Sequence, residues 1–311
     1  MDLSVDLGGL CLKNPVMSAS GTFGYGLEFS SFGDLKELGA IVVKGLSLKP
    51  KKGNPVPRIA ETPCGMLNAI GLQNIGIENF LKDKLPFLPW KETPVVVNLY
   101  AQSVPEFGVL AGILSDEPGI AALEVNISCP NVREGGVQFG QNAKAAAAVV
   151  SEAKRKCGVK PLIIKLSPNV TDIRSIALAV QGAGADMISL INTLGGMAVD
   201  VYTRKPRLAN VFGGLSGPAI KPVALKMVYE VCSEVDIPVI GLGGISSAED
   251  VLEFILVGAH AVQVGTANFL RPDFIFDLIR ELPQAMSRTG IASLEELRGG
   301  LETVEPSPVC A

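Results

Sequence analysis

The chain has 311 residues, of which 48% are hydrophobic and only 5% aromatic, so it can bury a large core. Its formal charge of -4 disfavours a general nucleic-acid binder, which needs concentrated Lys and Arg against phosphate. No apolar run is long enough to span a membrane, and the opening MDLSVDLGGL lacks the basic and apolar regions of a signal peptide, so a cytoplasmic protein is expected.

The segments Leu3-Ser-Val-Asp-Leu and Leu10-Cys-Leu, flanking Gly8-Gly9, suggest a small hairpin that closes one end of the fold. Eight short apolar or β-branched runs follow, at 15–18, 40–45, 94–99, 122–127, 161–166, 187–192, 237–242 and 261–265. Such runs suit strands covered on both faces. Helical patterns alternate with them, at 30–38, 75–83, 104–115, 139–157, 172–183, 218–233, 247–257 and 270–281. Thr171 and Ser246 or Ser247 stand where a helix-starting oxygen is wanted, Ser246 and Glu249 have capping-box spacing, and Pro218 suits a first turn. On the helix after Pro218, Ile220, Val223, Leu225 and Val228 are expected to face the sheet. The alternation predicts a single α/β domain over 1–311, a (β/α)8 barrel with a short N-terminal hairpin. An open doubly wound sheet is the alternative. Two long connections, 46–74 and 194–217, are expected to form lids or substrate walls on the catalytic side.

Cysteines stand at 11, 64, 129, 157, 232 and 310 with no CxxC pair, which favours free thiols over a disulfide framework. Cys11, Cys157 and Cys232 read as small buried or part-buried residues. The single histidine, His260, precedes a strand rather than following one, so a histidine-based triad or zinc site has little support.

In a barrel, residues at the C-terminal strand ends converge although they are remote in sequence. Here those ends carry Lys44, Asn98, Asn126, Lys165 and Asn192-Thr193. Strands seven and eight end in Gly243-Gly244 and Gly265-Thr266, where glycine lets backbone N–H groups approach a phosphate. A sugar-phosphate enzyme would show the same glycines. Lys165 can balance negative charge on a reduced flavin or, alternatively, form a Schiff base with a carbonyl substrate. Cys129, in NISCPN directly after the fourth strand, can be a covalent nucleophile, a proton-transfer base or an inert thiol. A non-enzymatic binding module would leave Cys129, Lys44 and Lys165 without a task.

Taken in order, NPVMSASGTFGYG at 14–26, GNPVPR at 53–58, MLNAIGLQN at 66–74, NISCPN at 126–131, KLSPN at 165–169, INT at 191–193, GGLSGP at 213–218, the glycine pair 243–244 and VGT at 264–266 resemble the dihydroorotate dehydrogenase family over roughly 3–300. The resemblance implies an FMN-containing barrel that oxidises (S)-dihydroorotate to orotate in pyrimidine synthesis. It implies cofactor contacts at Ser20, Gly21, Lys44, Gly45, Asn98, Asn126, Lys165, Ile191, Gly217, Gly243, Gly244, Gly265 and Thr266. Substrate contacts are implied at Lys44, Asn68, Ala69, Ile70, Gly71, Leu72, Asn126, Asn192 and Thr193. Cys129 matches the base that takes the substrate C5 proton while hydride leaves C6. A cysteine rather than serine at that position fits poorly with the quinone-linked membrane class, and among the soluble cysteine-base forms ETPCGMLNAI at 61–70 resembles the NAD-linked one more than the fumarate-linked one. That form implies FAD and [2Fe–2S] on a partner subunit, two catalytic chains with two partner chains, and no metal on this chain.

Overall fold

A computed structural model of the chain describes residues 2–128 and 139–303. Eight parallel strands form its centre: β1 (Val16–Ser18), β2 (Ile41–Val42), β3 (Val95–Leu99), β4 (Ala122–Asn126), β5 (Leu162–Lys165), β6 (Met187–Leu190), β7 (Val239–Leu242) and β8 (Ala261–Val264). Each pairs with its neighbours in sequence, and β8 pairs with β1. The ring closes between β1 and β2, where Met17 bridges Ala40, Ser18 N donates to Ala40 O at 3.2 Å and Val42 N donates to Ser18 Oγ at 2.9 Å. This is the expected (β/α)8 barrel rather than an open sheet.

The strands are buried almost throughout because helices cover them outside and side chains fill the ring inside. The helices are α1 (Ile77–Asp83), α2 (Val104–Leu114), α3 (Ala143–Lys156), α4 (Ile173–Gly182), α5 (Lys221–Cys232), α6 (Ala248–Leu256), α7 (Ala267–Leu270), α8 (Phe274–Thr289) and α9 (Leu294–Leu297). Packing is close. A methyl on Gly241 of β7 would lie 2.5 Å from the ring of the fully buried Phe254 on α6.

The expected hairpin is present, with Val5 opposite Leu12 and Asp6 opposite Cys11. It buries Leu7, Leu10 and Leu12, and Gly8 lies against Pro238 just before β7, at the N-terminal end of the barrel.

Several boundaries differ from expectation. The segment 30–38 is not a helix but follows and contains 3₁₀ turns at Leu27–Phe29 and Leu35–Glu37. The Asp34 carboxylate accepts from Lys36 N and starts the second turn afresh, while Gly33 leaves room for the Phe276 ring. The pattern over 270–281 is split. Arg271 precedes Pro272, is forced out of helical geometry to φ -139° and ψ 107°, and separates α7 from α8. Caps shift by one residue: Asp172, not Thr171, caps α4, and Ser247 caps α6 by accepting from Asp250 N. Ser246 instead donates its N–H and hydroxyl to the Asp250 carboxylate, so the Ser246–Glu249 box does not form. On α5 the core face is Ala224, Val228 and Val231, with Ile220 just ahead; Val223 and Leu225 are only partly buried. Cys157 is buried and Cys232 part-buried as expected, but Cys11 is exposed, because the hairpin turns Leu12 inward and Cys11 outward.

The two long connections are more ordered than loops. Together they make a four-stranded antiparallel sheet in the order 194–197, 212–216, 65–68, 59–62. Asn68 stands opposite Gly214, and Leu67 opposite Leu215.

Candidate active site

Every barrel strand delivers a candidate group at its C-terminal end, and the geometry brings most of them into contact. At β1 and β2, Lys44 Nζ lies 3.5 Å from where a Gly21 side chain would begin, and a methyl on Gly45 would lie 2.7 Å from Asn98 Oδ1 and 4.0 Å from Ser20 Oγ. These glycines keep a narrow space open beside buried polar groups. Lys44 is part-buried, and burial first, then the Arg58 guanidinium, lower its pKa from the usual lysine value. An anionic ligand would relieve both effects, since opposite charge favours the ammonium.

Below this space lies a buried polar network. The Glu124 carboxylate on β4 has no exposure, and Asn98 Nδ2 donates to it at 2.6 Å, Ser189 Oγ at 2.8 Å and Gln263 Nε2 at 2.6 Å. The Lys165 ammonium stands 3.6 Å from the same carboxylate and donates to Gln263 Oε1 at 3.1 Å. Asn98 Oδ1 is buried without any hydrogen-bond partner among the described residues. A buried amide oxygen left unpaired costs about 1–3 kcal/mol, so it suits a ligand N–H.

The next groups form a second cluster. Asn126 Oδ1 accepts from Ser128 N at 3.0 Å and from Asn192 Nδ2 at 3.5 Å, and Asn192 Oδ1 accepts from Thr193 N at 2.8 Å. Asn68 Nδ2 donates to Gly214 O at 3.3 Å, and a side chain at Gly214 would overlap Thr193. The antiparallel sheet thus carries Asn68 to Thr193. Ala69 to Leu72 are tied elsewhere: Asn54 donates to Ala69 O and Ile70 O at 2.9 and 3.0 Å, and Ala69 N donates to Arg58 O. Of these, Gly71 and Leu72 border a rim cleft of about 380 Å³ lined also by Lys51, Lys52, Tyr100 and Asn210.

The glycine ends of β7 and β8 form the third cluster. Gly243 has φ 131° and Gly244 φ 80°, conformations that side chains resist. A methyl on Gly243 would lie 3.3 Å from Ile191, and one on Gly244 would lie 3.0 Å from Gly217 O. Thr266, after Gly265, donates its hydroxyl to Ser216 Oγ at 2.8 Å. The three clusters combine backbone suited to a phosphate, buried cations and amides suited to a heteroaromatic ring edge, a donor set that fits a flavin mononucleotide.

A family model described as dihydroorotate dehydrogenase matches residues 2–286. The chain belongs to the dihydroorotate dehydrogenase family. Membership makes it a flavin-dependent oxidoreductase. It is similar to proteins named dihydroorotate dehydrogenase B (NAD(+)), catalytic subunit, from several bacteria. The relative from Solidesulfovibrio magneticus is 66% identical over 97% of this chain and 98% of its own length. Those from Maridesulfovibrio salexigens and Geotalea daltonii are 63% and 58% identical, each over 97% of this chain. The words "catalytic subunit" in these names presuppose another subunit.

Cys129 lies outside the described residues. The chain leading to it is anchored, with Ser128 Oγ donating to Lys165 O at 2.8 Å. His260 is at the opposite end of β8, where its N–H donates to Val239 O at 2.8 Å, and burial followed by Arg298 lowers its pKa to about 4. Among the described residues no group of three His, Cys, Asp or Glu side chains could hold a metal ion, and no helix is long and apolar enough to cross a membrane. Glu124, Ser189 and Gln263 were not singled out from the sequence. The available signal was a charged or polar residue at the centre of an otherwise apolar strand, as in ALEVN and AVQV.

Proposed function

We propose that this chain is the FMN-bearing catalytic subunit of an NAD-linked enzyme that oxidises (S)-dihydroorotate to orotate in UMP biosynthesis. The observation that carries this reading is the unpaired, buried Asn98 Oδ1 beside the buried Lys165, at the strand ends where the glycine backbones also converge. FMN, when bound, supplies a two-electron acceptor for the hydride leaving substrate C6. Its pyrimidine edge would meet Asn98, Asn126 and Lys165, and its phosphate would meet the backbone at Gly217, Gly243, Gly244, Gly265 and Thr266. Ser20, Gly21, Gly45 and Ile191 would line the ring.

Cys129 takes the proton from substrate C5. Asn68, Asn126 and Asn192 orient the substrate ring, because each amide offers both a donor and an acceptor to its amide edges. Thr193 adds a hydroxyl, the backbone of Ala69 to Leu72 closes the rim, and the Lys44 ammonium balances the substrate carboxylate. The six cysteines are scattered, so the electrons leave through a partner that holds FAD and [2Fe–2S], in an assembly of two catalytic and two partner chains. The whole of 1–311 acts as one cytoplasmic domain.

The test is anaerobic. Dihydroorotate added to the purified protein should bleach the flavin absorbance, and NAD should restore it only with the partner subunit present. Absence of bleaching would overturn the reaction, and reoxidation by fumarate in place of NAD would overturn the assigned acceptor.

A further inference from the structure

The carboxylate of Glu124 is fully buried, lies at the centre of four polar side chains and has no assigned task. We infer that Glu124 is a positioning residue that fixes which way the neighbouring amides face, and so presents Asn98 Oδ1 and the Lys165 ammonium to the flavin. The inference rests on the FMN reading above.

The argument is one of donors and acceptors. Three neutral groups donate to Glu124: Asn98 Nδ2 and Gln263 Nε2 at 2.6 Å each, and Ser189 Oγ at 2.8 Å. Lys165 stands 3.6 Å away as a fourth donor-bearing group. An ionised carboxylate only accepts, and a protonated one would aim its hydrogen at another donor. Each amide must therefore turn its NH₂ toward Glu124 and its oxygen away. For Gln263 that oxygen accepts from Lys165 at 3.1 Å and holds the ammonium in place. For Asn98 it is the buried oxygen without a partner, beside Gly45. Glu124 also sets the charge: without it, Lys165 would face the flavin with no compensating anion.

Glu124→Gln keeps the shape but brings an NH₂ into a ring of donors. If that NH₂ meets Asn98, Asn98 must flip and withdraw its oxygen from the ligand. If it meets Gln263, Gln263 must flip and oppose Lys165 with a donor. Either way one group presented to the cofactor turns. Loss of one such hydrogen bond weakens FMN binding roughly tenfold. Loss of the buried negative charge moves the flavin midpoint potential to a more positive value, because the anionic reduced ring is then better stabilised.

The experiment measures FMN dissociation and flavin midpoint potential for wild type, Glu124→Gln, Asn98→Ala and the exchange Glu124→Gln with Gln263→Glu. The exchange keeps one carboxylate beside Lys165 and lets the new amide oxygen accept from Asn98, so both readouts should return toward wild type. It also serves if the single variant does not fold. A flavin with wild-type affinity and potential in Glu124→Gln would overturn the role, as would an exchange that folds but restores neither. If wild type binds FMN and Asn98→Ala does not weaken it, the placement of the flavin itself is wrong, and the role of Glu124 fails with it.

Discussion

The buried pair of Lys165 and Glu124 makes a stability prediction that needs no ligand. Lys165→Met keeps the aliphatic bulk and removes the charge. The two side chains are 5% and 0% exposed, so water cannot replace the lost partner. Breaking a buried ion pair from one side costs about 3–5 kcal/mol. Glu124 keeps three neutral donors here, which places the expected loss near the lower end, about 3 kcal/mol. At about 2.1 cal/mol/K per residue, unfolding a chain of 311 residues carries roughly 0.65 kcal/mol/K, so Tm should fall by about 5 °C. The assay is thermal unfolding by circular dichroism on flavin-stripped protein, because a ligand bound to the native state would add its own stabilisation. Adding Glu124→Gln to Lys165→Met should recover at least half of the loss, since removing a buried pair whole is often close to neutral. A single variant melting with wild type would refute the cost assigned to the unpaired charge. A double variant with no recovery would assign the loss to packing instead.

Cys129→Ala should keep its flavin but lose roughly 10²–10⁴ in the rate of flavin reduction by dihydroorotate; stopped-flow traces near wild type across pH would remove Cys129 from the base role, and Cys129→Ser should recover partly at high pH. Gly244→Ala forces a side chain into φ 80° with Lys221 N 2.9 Å away, so FMN affinity measured by fluorescence titration should drop sharply. His260 has a native pKa lowered to about 4 from 6.5, so the unfolded chain takes up the proton first as pH falls. Its contribution is full above pH 6.5 and is lost as pH falls toward about 4, an effect of about 1–2 kcal/mol after discounting for its partial exposure. Urea midpoints for His260→Gln should therefore decline less steeply than wild type over that range, and parallel declines would contradict the assignment.

The eight strands were legible because each is a short apolar run buried on both faces, a pattern that survives without knowledge of its neighbours. The strand-end groups were legible for a related reason. Lys44, Asn98, Asn126, Lys165 and Asn192 each stand at the end of such a run, and the barrel topology alone brings them together. What escaped depended on partners distant in sequence. The antiparallel sheet pairs 65–68 with 212–216, and neither segment carries the alternation that would announce a strand. Glu124 was hidden by its own apolar context, and only the donors from Asn98, Ser189 and Gln263 explain it. The helix expected at 30–38 is absent through local competition, where the Asp34 side chain offers the backbone a different bond.

The sheet that carries Asn68 has a consequence for how activity arises during folding. Its inner pair joins Asn68 to Gly214 across 146 positions, and only the β1–β8 seam, with Val16 opposite Val262, closes a longer stretch among the paired strands. Contacts of such sequence separation form late, because the entropy of closure must be met before they contribute. Strands β2 to β8 can gather in order, each beside the last, while this pair and the β1–β8 seam wait for segments remote in sequence. Refolding should therefore show most of the helical ellipticity before orotate binding returns, with a lag between the two signals.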